Sequence, residues 1–379
     1  FIPRMSDIQL HIVSFDIPHP PNYGGVIDVY HKIRALHDEG LNIHLHCFYS
    51  NRKPSAELEK LCTRVSYYPR NTGIFSALSL HPYIVFSRRS AQLLQNLCTD
   101  QAPILFEGLH SCYYLGHRRL AGRKQIYRES NIEHQYYFHL FKAEKNPFKK
   151  LYFILSSVKL RFFERKLSQA SLMLTVSRED NQYLASKFGE NKVQYLPSFH
   201  ADDELTCQSG SGKYILYQGN LSVPENSRAA EYLVTEVVNS CEFPFIIAGL
   251  NPPARLRRIC KSHPHVRLIA NPTADKMNQL IREAHINLMV TFQATGLKLK
   301  LLNALFNGRF CVVNEEMIVG TELRGICTIG RNPEEMKAQI RKLMEREFGE
   351  EIISKRRESL MKWHSNKENV KKLINLISD

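Results

Sequence analysis

No run of apolar residues in these 379 approaches the roughly 18 that a membrane span needs, and residues 1–15 interrupt their apolar positions with Arg4, Asp7, Gln9 and His11. The chain is expected neither to cross a bilayer nor to enter a secretory route. Cysteines at metal-site or redox spacing are missing: nine stand singly, most inside apolar runs, with no Cys-x-x-Cys among them. They read as reduced core residues of a cytoplasmic protein. Also missing are an Asp-x-Asp pair to hold a catalytic cation and a Gly-x-Gly-x-x-Gly after a first strand to seat a dinucleotide. Gly210-Ser-Gly-Lys213 imitates a phosphate loop, but Cys207 stands where the first glycine belongs and Tyr214 where a hydroxyl would meet magnesium. His44 and His46 fall on one strand face with no evident third ligand nearby. Neither a metal nor a cofactor is therefore expected.

What the chain does have is ordinary globular composition, 43% hydrophobic and 23% charged, with a net charge of +14. Its length makes two domains the natural division. Residues 1–200 hold 26 Lys and Arg against 16 Asp and Glu, so most of the excess lies in the first half. That imbalance calls for an anionic partner: phosphate esters, nucleic acid or an anionic bilayer. No nucleic-acid module or exposed aromatic platform is recognisable, and no nucleic-acid partner is expected.

Residues 8–15 read as an inner strand, 18–23 as a proline-rich loop, and Gly24-Gly25 opens a helix that stops at Gly40. Further apolar strands are expected at 43–48, 65–68, 104–106, 125–127, 172–176 and 193–196. After a polar stretch poor in apolar residues, strands recur at 214–218, 245–248, 266–269, 286–290 and 310–313, with helices between them. The expected division is a domain over 1–198, a linker over 199–212, a second domain over 213–349, and one polar helix over 350–379 lying across both domains.

Residues 291–314 are the most informative stretch. Read as a helix opening at Gly296, it sets Leu297, Leu301, Ala304, Leu305 and Gly308 on one stripe and Gly296, Lys300, Asn303 and Asn307 on another. A helix that follows a strand and opens on glycine has unpaired N–H groups at its start, and a lysine one turn inside adds a positive charge. The combination suits a phosphate. Lys298 falls on a different face, where solvent or a secondary phosphate contact would account for it.

Taken in order, Pro21-Asn-Tyr-Gly-Gly25, Glu129-Ser-Asn-Ile-Glu-His-Gln-Tyr-Tyr137, Leu174-Thr-Val-Ser-Arg-Glu-Asp180, Tyr217-Gln-Gly-Asn-Leu-Ser-Val-Pro-Glu-Asn226 and residues 296–313 resemble the retaining nucleotide-sugar glycosyltransferases of the GT-B fold, close to family four. The resemblance covers most of the chain. It implies an α/β architecture of two Rossmann-like doubly wound domains facing across a cleft, with a C-terminal helix crossing back. It further implies donor binding by Gly24, Gly25, Gly219, Asn220, Thr295, Gly296, Lys298, Lys300 and Asn303, and acceptor binding by Asn131 and His134. His110 and Glu133 are its catalytic candidates. For His110 a plain loop histidine is the alternative; for Asn131 it is a helix cap, and for Asn220 a turn.

Thr295 and Asn303 depart from the family, which commonly has Glu at both positions; an amide oxygen accepts hydrogen bonds but carries no charge. The implied function is metal-independent transfer of a hexose, with mannose suggested, from a nucleotide-diphosphate sugar to a glycan or lipid-linked acceptor in polysaccharide biosynthesis. A nucleotide-sugar epimerase on the same fold, or a sugar-nucleotide-binding protein with little turnover, are the alternatives. Finally, residues 141–167 interleave Lys142, Lys145, Lys149, Lys150, Lys159, Arg161, Arg165 and Lys166 with aromatic and aliphatic residues. Such a pattern suits an anionic membrane surface, with solvated helix faces over a core as the alternative, and would place the protein at the inner face of the cell membrane.

Overall fold

The computed structural model describes residues 8–73, 76, 79–292 and 299–378. The chain divides into two compact units, Phe1–Phe199 with Asn366–Asp379, and His200–Ser365. Among the described residues no helix is long and apolar enough to cross a membrane.

The first unit is built on β1 (Gln9–Ser14), β2 (Asn42–Tyr49), β3 (Arg64–Pro69), β4 (Ile104–Glu107), β5 (Gln125–Arg128), β6 (Leu172–Thr175) and β7 (Val193–Tyr195). These are parallel, in the order β3-β2-β1-β4-β5-β6-β7. A parallel sheet is covered on both faces, and the near-continuous apolar strands reflect it. Leu10, Ile12, Leu45 and Cys47 share one core cluster with Val29, Ile33 and Leu36 of α1 (Gly24–Asp38). The alternate positions Val13 and Phe48 join the other cluster. Two more helices follow β5, α2 (Glu133–Ala143) and α3 (Pro147–Phe163).

One buried cluster in this unit gathers four ionisable side chains. Lys32 Nζ donates to Asp28 (3.0 Å) and Glu107 (2.7 Å), and Arg128 donates to both oxygens of Asp28 at 3.3 Å. Two cations offset two carboxylates, and the arrangement ties α1 to the ends of β4 and β5. Buried charges persist only with such partners.

The second unit repeats the pattern with β8 (Ile215–Asn220), β9 (Phe245–Leu250), β10 (Val266–Ala270), β11 (Ile286–Met289), β12 (Phe310–Val313) and β13 (Thr328–Ile329), parallel in the order β10-β9-β8-β11-β12-β13. Its helices include α4 (Pro224–Tyr232), which runs on into a π-helical turn at Leu233–Val237, and α5 (Leu299–Asn307). Two Rossmann-like parallel-sheet domains are therefore present, as the strand pattern predicts.

Three features differ from the sequence reading. The stretch read as a linker is bonded along its length to the second unit: Thr206 and Cys207 N–H groups reach Phe306 O, Gly210 pairs with Phe348, and Gly212 N–H reaches His285 Nδ1. The terminal helix is two helices, α6 (Glu350–His364) and α7 (Asn366–Ser378), separated by Ser365 in extended conformation. Ile353 and Leu360 of α6 belong to cores of the second unit, whereas Val370, Leu373, Ile374 and Ile377 of α7 belong to a core of the first. Lastly, a third imidazole does join His44 and His46. His11 lies in register beside His44 across the β1–β2 pair, 33 residues away in sequence but one strand away in space.

Candidate functional site

In open parallel sheets, ligands gather at the carboxyl ends of the strands where the strand order reverses. In the first unit that point lies between β1 and β4. The chain leaving β1 returns into α1, whose cap residue Tyr23 is extended and whose first turn holds no acidic residue. Gly24 is exposed, and a Cβ there would meet nothing within 4 Å; a Cβ on Gly25 would sit 2.6 Å from Cζ of Phe15. The glycine pair thus has two separate tasks, open backbone at Gly24 and close packing at Gly25.

The chain leaving β4 turns at Gly108 (φ +69°), which a non-glycine residue rarely adopts, into a short 3-10 helix carrying His110. The His110 ring lies 5.3 Å from that of Phe15, so the glycine loop and the histidine share one ring as neighbour. Nδ1 of His110 is 3.7 Å from Oε1 of Glu133, the first residue of α2, beyond hydrogen-bonding distance. Burial pushes the His110 pKa well below its ordinary value, with Arg88 and Arg70 adding to the effect. Burial pushes the Glu133 carboxyl up to about 8, against the pull of Arg88. Burial thus favours an uncharged imidazole beside a protonated carboxyl at neutral pH.

Arg88 supplies the nearby cation. Its Nε donates to Phe15 O (2.7 Å), and burial lowers its pKa to about 9. His134 points elsewhere: its Nδ1 pairs at 2.9 Å with Glu164, which also accepts from Tyr183 and Lys187. Asn131 is half-buried just ahead of α2, and the cap position there is Ile132, with no side-chain cap bond.

In the second unit the reversal lies between β8 and β11. Gly219 and Asn220 end β8. Asn220 Oδ1 accepts from Ser222 N (3.1 Å) and Oγ (2.7 Å), the turn chemistry that asparagine favours. Asn226 of α4 donates to Asn220 O (3.0 Å) and accepts from Lys300 Nζ (3.1 Å). The ammonium of Lys300 lies 5.2 Å from the ring centre of the buried Tyr217, and Gln218 Nε2 holds the Lys300 carbonyl at 3.1 Å. Lys300 is therefore aimed at the end of β8. Thr291, just past β11, donates its hydroxyl to Glu225, and Asn314 past β12 holds Thr291 through both backbone groups.

Thr295, Gly296 and Lys298 lie outside the described residues. Asn303 is half-buried one turn beyond Lys300, and its oxygens accept from Asn307 (3.0 and 3.3 Å), which in turn reaches Asp202 (2.7 Å). The fixed end of α5 is built from within: Arg356, 1% exposed, donates to the carbonyls of Leu305 (3.1 Å), Gly308 (2.7 Å) and Arg309 (2.5 Å). Cations at a helix C-terminus satisfy its last carbonyls and oppose its dipole. Sequence reading left Arg88 and Arg356 out of account and took Tyr217 only as the first residue of a motif; the part each plays is visible only from its surroundings.

Residues 212–346 match the family described as Glycosyl transferases group 1. Over 332 residues the chain is 25% identical to an uncharacterized 44.6 kDa protein in the cps region of Klebsiella pneumoniae, covering 80% of this chain and 82% of the relative. Among solved structures it is similar to HepE of Anabaena in complex with UDP and glucose, with a TM-score of 0.66 at 11% identity over 98% of this chain and 99% of that one. TarM of S. aureus gives 0.68 at 9% identity over the same shares. Likeness at such identities speaks for the fold, which is GT-B. With the matched domain added to that fold, the chain is indicated to be a glycosyltransferase.

Proposed function

We propose that the protein moves a hexose from a nucleotide-diphosphate sugar to a glycan or lipid-linked acceptor, with retained configuration and without a catalytic metal, in polysaccharide biosynthesis. Mannose is the sugar the sequence resemblance suggests. The observation that carries the reading is the seating of Lys300 in the matched domain: a half-buried lysine whose ammonium is bonded to Asn226 and faces the end of β8, at the strand-order reversal. A fixed cation there would stabilise the charge that grows on a diphosphate as the sugar leaves. HepE and TarM have been crystallised with UDP, which makes uridine diphosphate sugars the first donors to test. The relative from a cps region is consistent with a polysaccharide setting.

In the first unit, the sequence resemblance offers Gly24 as a donor contact and His110 as a catalytic residue. The exposed side of α3 supports a lipid-linked acceptor. Phe148, Leu151, Tyr152, Leu155, Val158 and Phe162 are all exposed, Phe148 at 83% and Phe162 at 60%, and recur at helical spacing. Lys149, Lys150 and Arg161 lie on the same helix, and Arg165 in the 3-10 helix Glu164–Gln169 that follows it. An anionic bilayer would cover the apolar stripe and meet the cations.

The test is incubation of the purified protein with UDP- and GDP-hexoses, with and without membrane lipid extract. Acceptor-dependent release of the nucleoside diphosphate supports the proposal. An altered nucleotide sugar without acceptor would make the protein an epimerase, and saturable binding with neither product would make it a binder.

A further inference from the structure

His11, His44 and His46 occupy the same face of β1 and β2 and are 0%, 6% and 0% exposed. One ligand atom from each lies within 4.8 Å of the others. Two of the rings are gripped from behind. His11 Nε2 is 2.9 Å from both oxygens of Asp100, and His46 Nδ1 is 2.8 Å from the hydroxyl of Tyr68, which also accepts from Asn96 at 2.7 Å. The grip turns Nδ1 of His11 and Nε2 of His46 toward each other, 2.9 Å apart.

One placement of protons satisfies this chain of groups: Asn96 donates to Tyr68, Tyr68 to His46, His46 to His11, and His11 to Asp100. His44 stands outside it. Its ring packs 4.3 Å from His46 and 4.8 Å from His11, yet its buried Nε2 has no hydrogen-bond partner among the described residues. A buried polar atom left unpaired is costly and calls for a reason.

We propose that His11, His44 and His46 form a binding site for a zinc-class divalent cation, with Asp100 and Tyr68 as the groups that orient its ligands. Backing of a histidine ligand by a carboxylate or hydroxyl is the usual arrangement around such ions. Zinc bonds of about 2.0–2.1 Å place tetrahedral ligand nitrogens about 3.3 Å apart, so the widest separation closes by no more than about 1.5 Å. On binding, the His46 proton moves from Nε2 to Nδ1 and Tyr68 turns from donor to acceptor there, while each imidazole stays neutral. His11 lies three residues before the end of β1, roughly 10 Å from the strand end that leads toward the glycine loop. The ion would brace the β1–β2 pair and take no part in sugar transfer.

The experiment is titration of the EDTA-treated full-length chain with Zn2+ alone by calorimetry, and with Co2+ by visible absorption. One saturable equivalent at micromolar concentration or below is expected, with a raised Tm and the intense visible bands of a four- or five-coordinate cobalt ion. His44→Gln, which leaves the hydrogen-bonded chain of groups intact, should weaken that equivalent at least about 100-fold, and Asp100→Asn roughly 10- to 100-fold. Absence of a saturable equivalent, or one that His44→Gln leaves unchanged, overturns the site. If the variant misfolds, the cobalt spectrum of the unaltered protein decides, since weak six-coordinate bands alone would also overturn it.

Discussion

His110 Nδ1 and Glu133 Oε1 lie 3.7 Å apart, and burial drives their proton affinities in opposite directions, the imidazole down and the carboxyl up to about 8. Two groups that would form an ion pair in water are held uncharged next to one another. A site whose acid and base are separated by environment rather than residue type has a pH response that can be worked out in advance.

Glu133 has a folded pKa raised above its unfolded value of 4.5, so its share of stability is complete below pH 4.5 and is lost as pH rises through about 8. His110, depressed below 6.5, gives the reverse: its share is complete above 6.5 and lost in acid. Between pH 6.5 and 8 only Glu133 of this pair changes the slope. The unaltered protein should lose up to about 1.4 kcal/mol per pH unit from this carboxyl there. Urea unfolding of Glu133→Gln should show that part of the slope removed; an identical slope in both proteins would place the titrating carboxyl elsewhere.

Lys300→Ala should lower kcat/KM for the nucleotide sugar by about 100-fold or more, the scale expected when a fixed group at a developing charge is removed. Its half-buried ammonium has Asn226 and Tyr217 as neighbours, so the loss of stability should stay near 1 kcal/mol. Kinetics and thermal melting of the same preparation separate the two effects. Turnover unchanged by the substitution would remove Lys300 from the donor site.

The glycine pair of α1 permits a sharper contrast. Gly24→Ala adds a methyl that meets nothing within 4 Å, so Tm should hold while KM for the donor rises several-fold. Gly25→Ala drives a methyl to 2.6 Å from Phe15, a ring already packed against His110, and should cost about 1–3 kcal/mol. Equal effects of the two changes on Tm would show that neighbouring groups yield more than this packing allows.

Phe148, Leu155 and Phe162 replaced together by Ser should cut binding to vesicles rich in phosphatidylserine by at least about tenfold with little change in Tm, because the three side chains are already in water. Binding of the unaltered protein should weaken with salt and on neutral phosphatidylcholine vesicles. Sedimentation with vesicles reads both. Partition indifferent to the triple change would leave α3 as a solvated surface.

Twelve of the thirteen strands among the described residues were legible because a buried parallel strand declares itself as a short apolar run, and their parallel direction follows from alternation with helices. The exception, Thr328–Ile329, is too short to show any period. Gly24, Gly25, Gly219 and Asn220 stood out since glycine and asparagine after a strand mark turns. Lys300 stood out by its place on a polar helical stripe. The pairing did not: Tyr217 and Asn226 both fall in the motif over 217–226, but Asn226 reaches Lys300 from 74 residues away, and nothing local to Tyr217 announces a cation beside its ring. His11 illustrates the same limit, since adjacency in a parallel sheet joins residues that the crossover helix keeps far apart in sequence. His134 was named as an acceptor contact from the family resemblance; its bond to Glu164, 30 residues on, is one that only helix packing reveals.

The second unit, His200–Ser365, is one unbroken segment, whereas the first needs α7 to fill the seat of Val370, Leu373, Ile374 and Ile377. In the chain that helix comes after the whole of the second unit. A ribosome therefore makes every residue of His200–Ser365 before it makes the helix that the first unit needs, and the second unit can close on itself sooner. Until α7 (Asn366–Ser378) has been made, the apolar positions it covers on the first unit are open to aggregation.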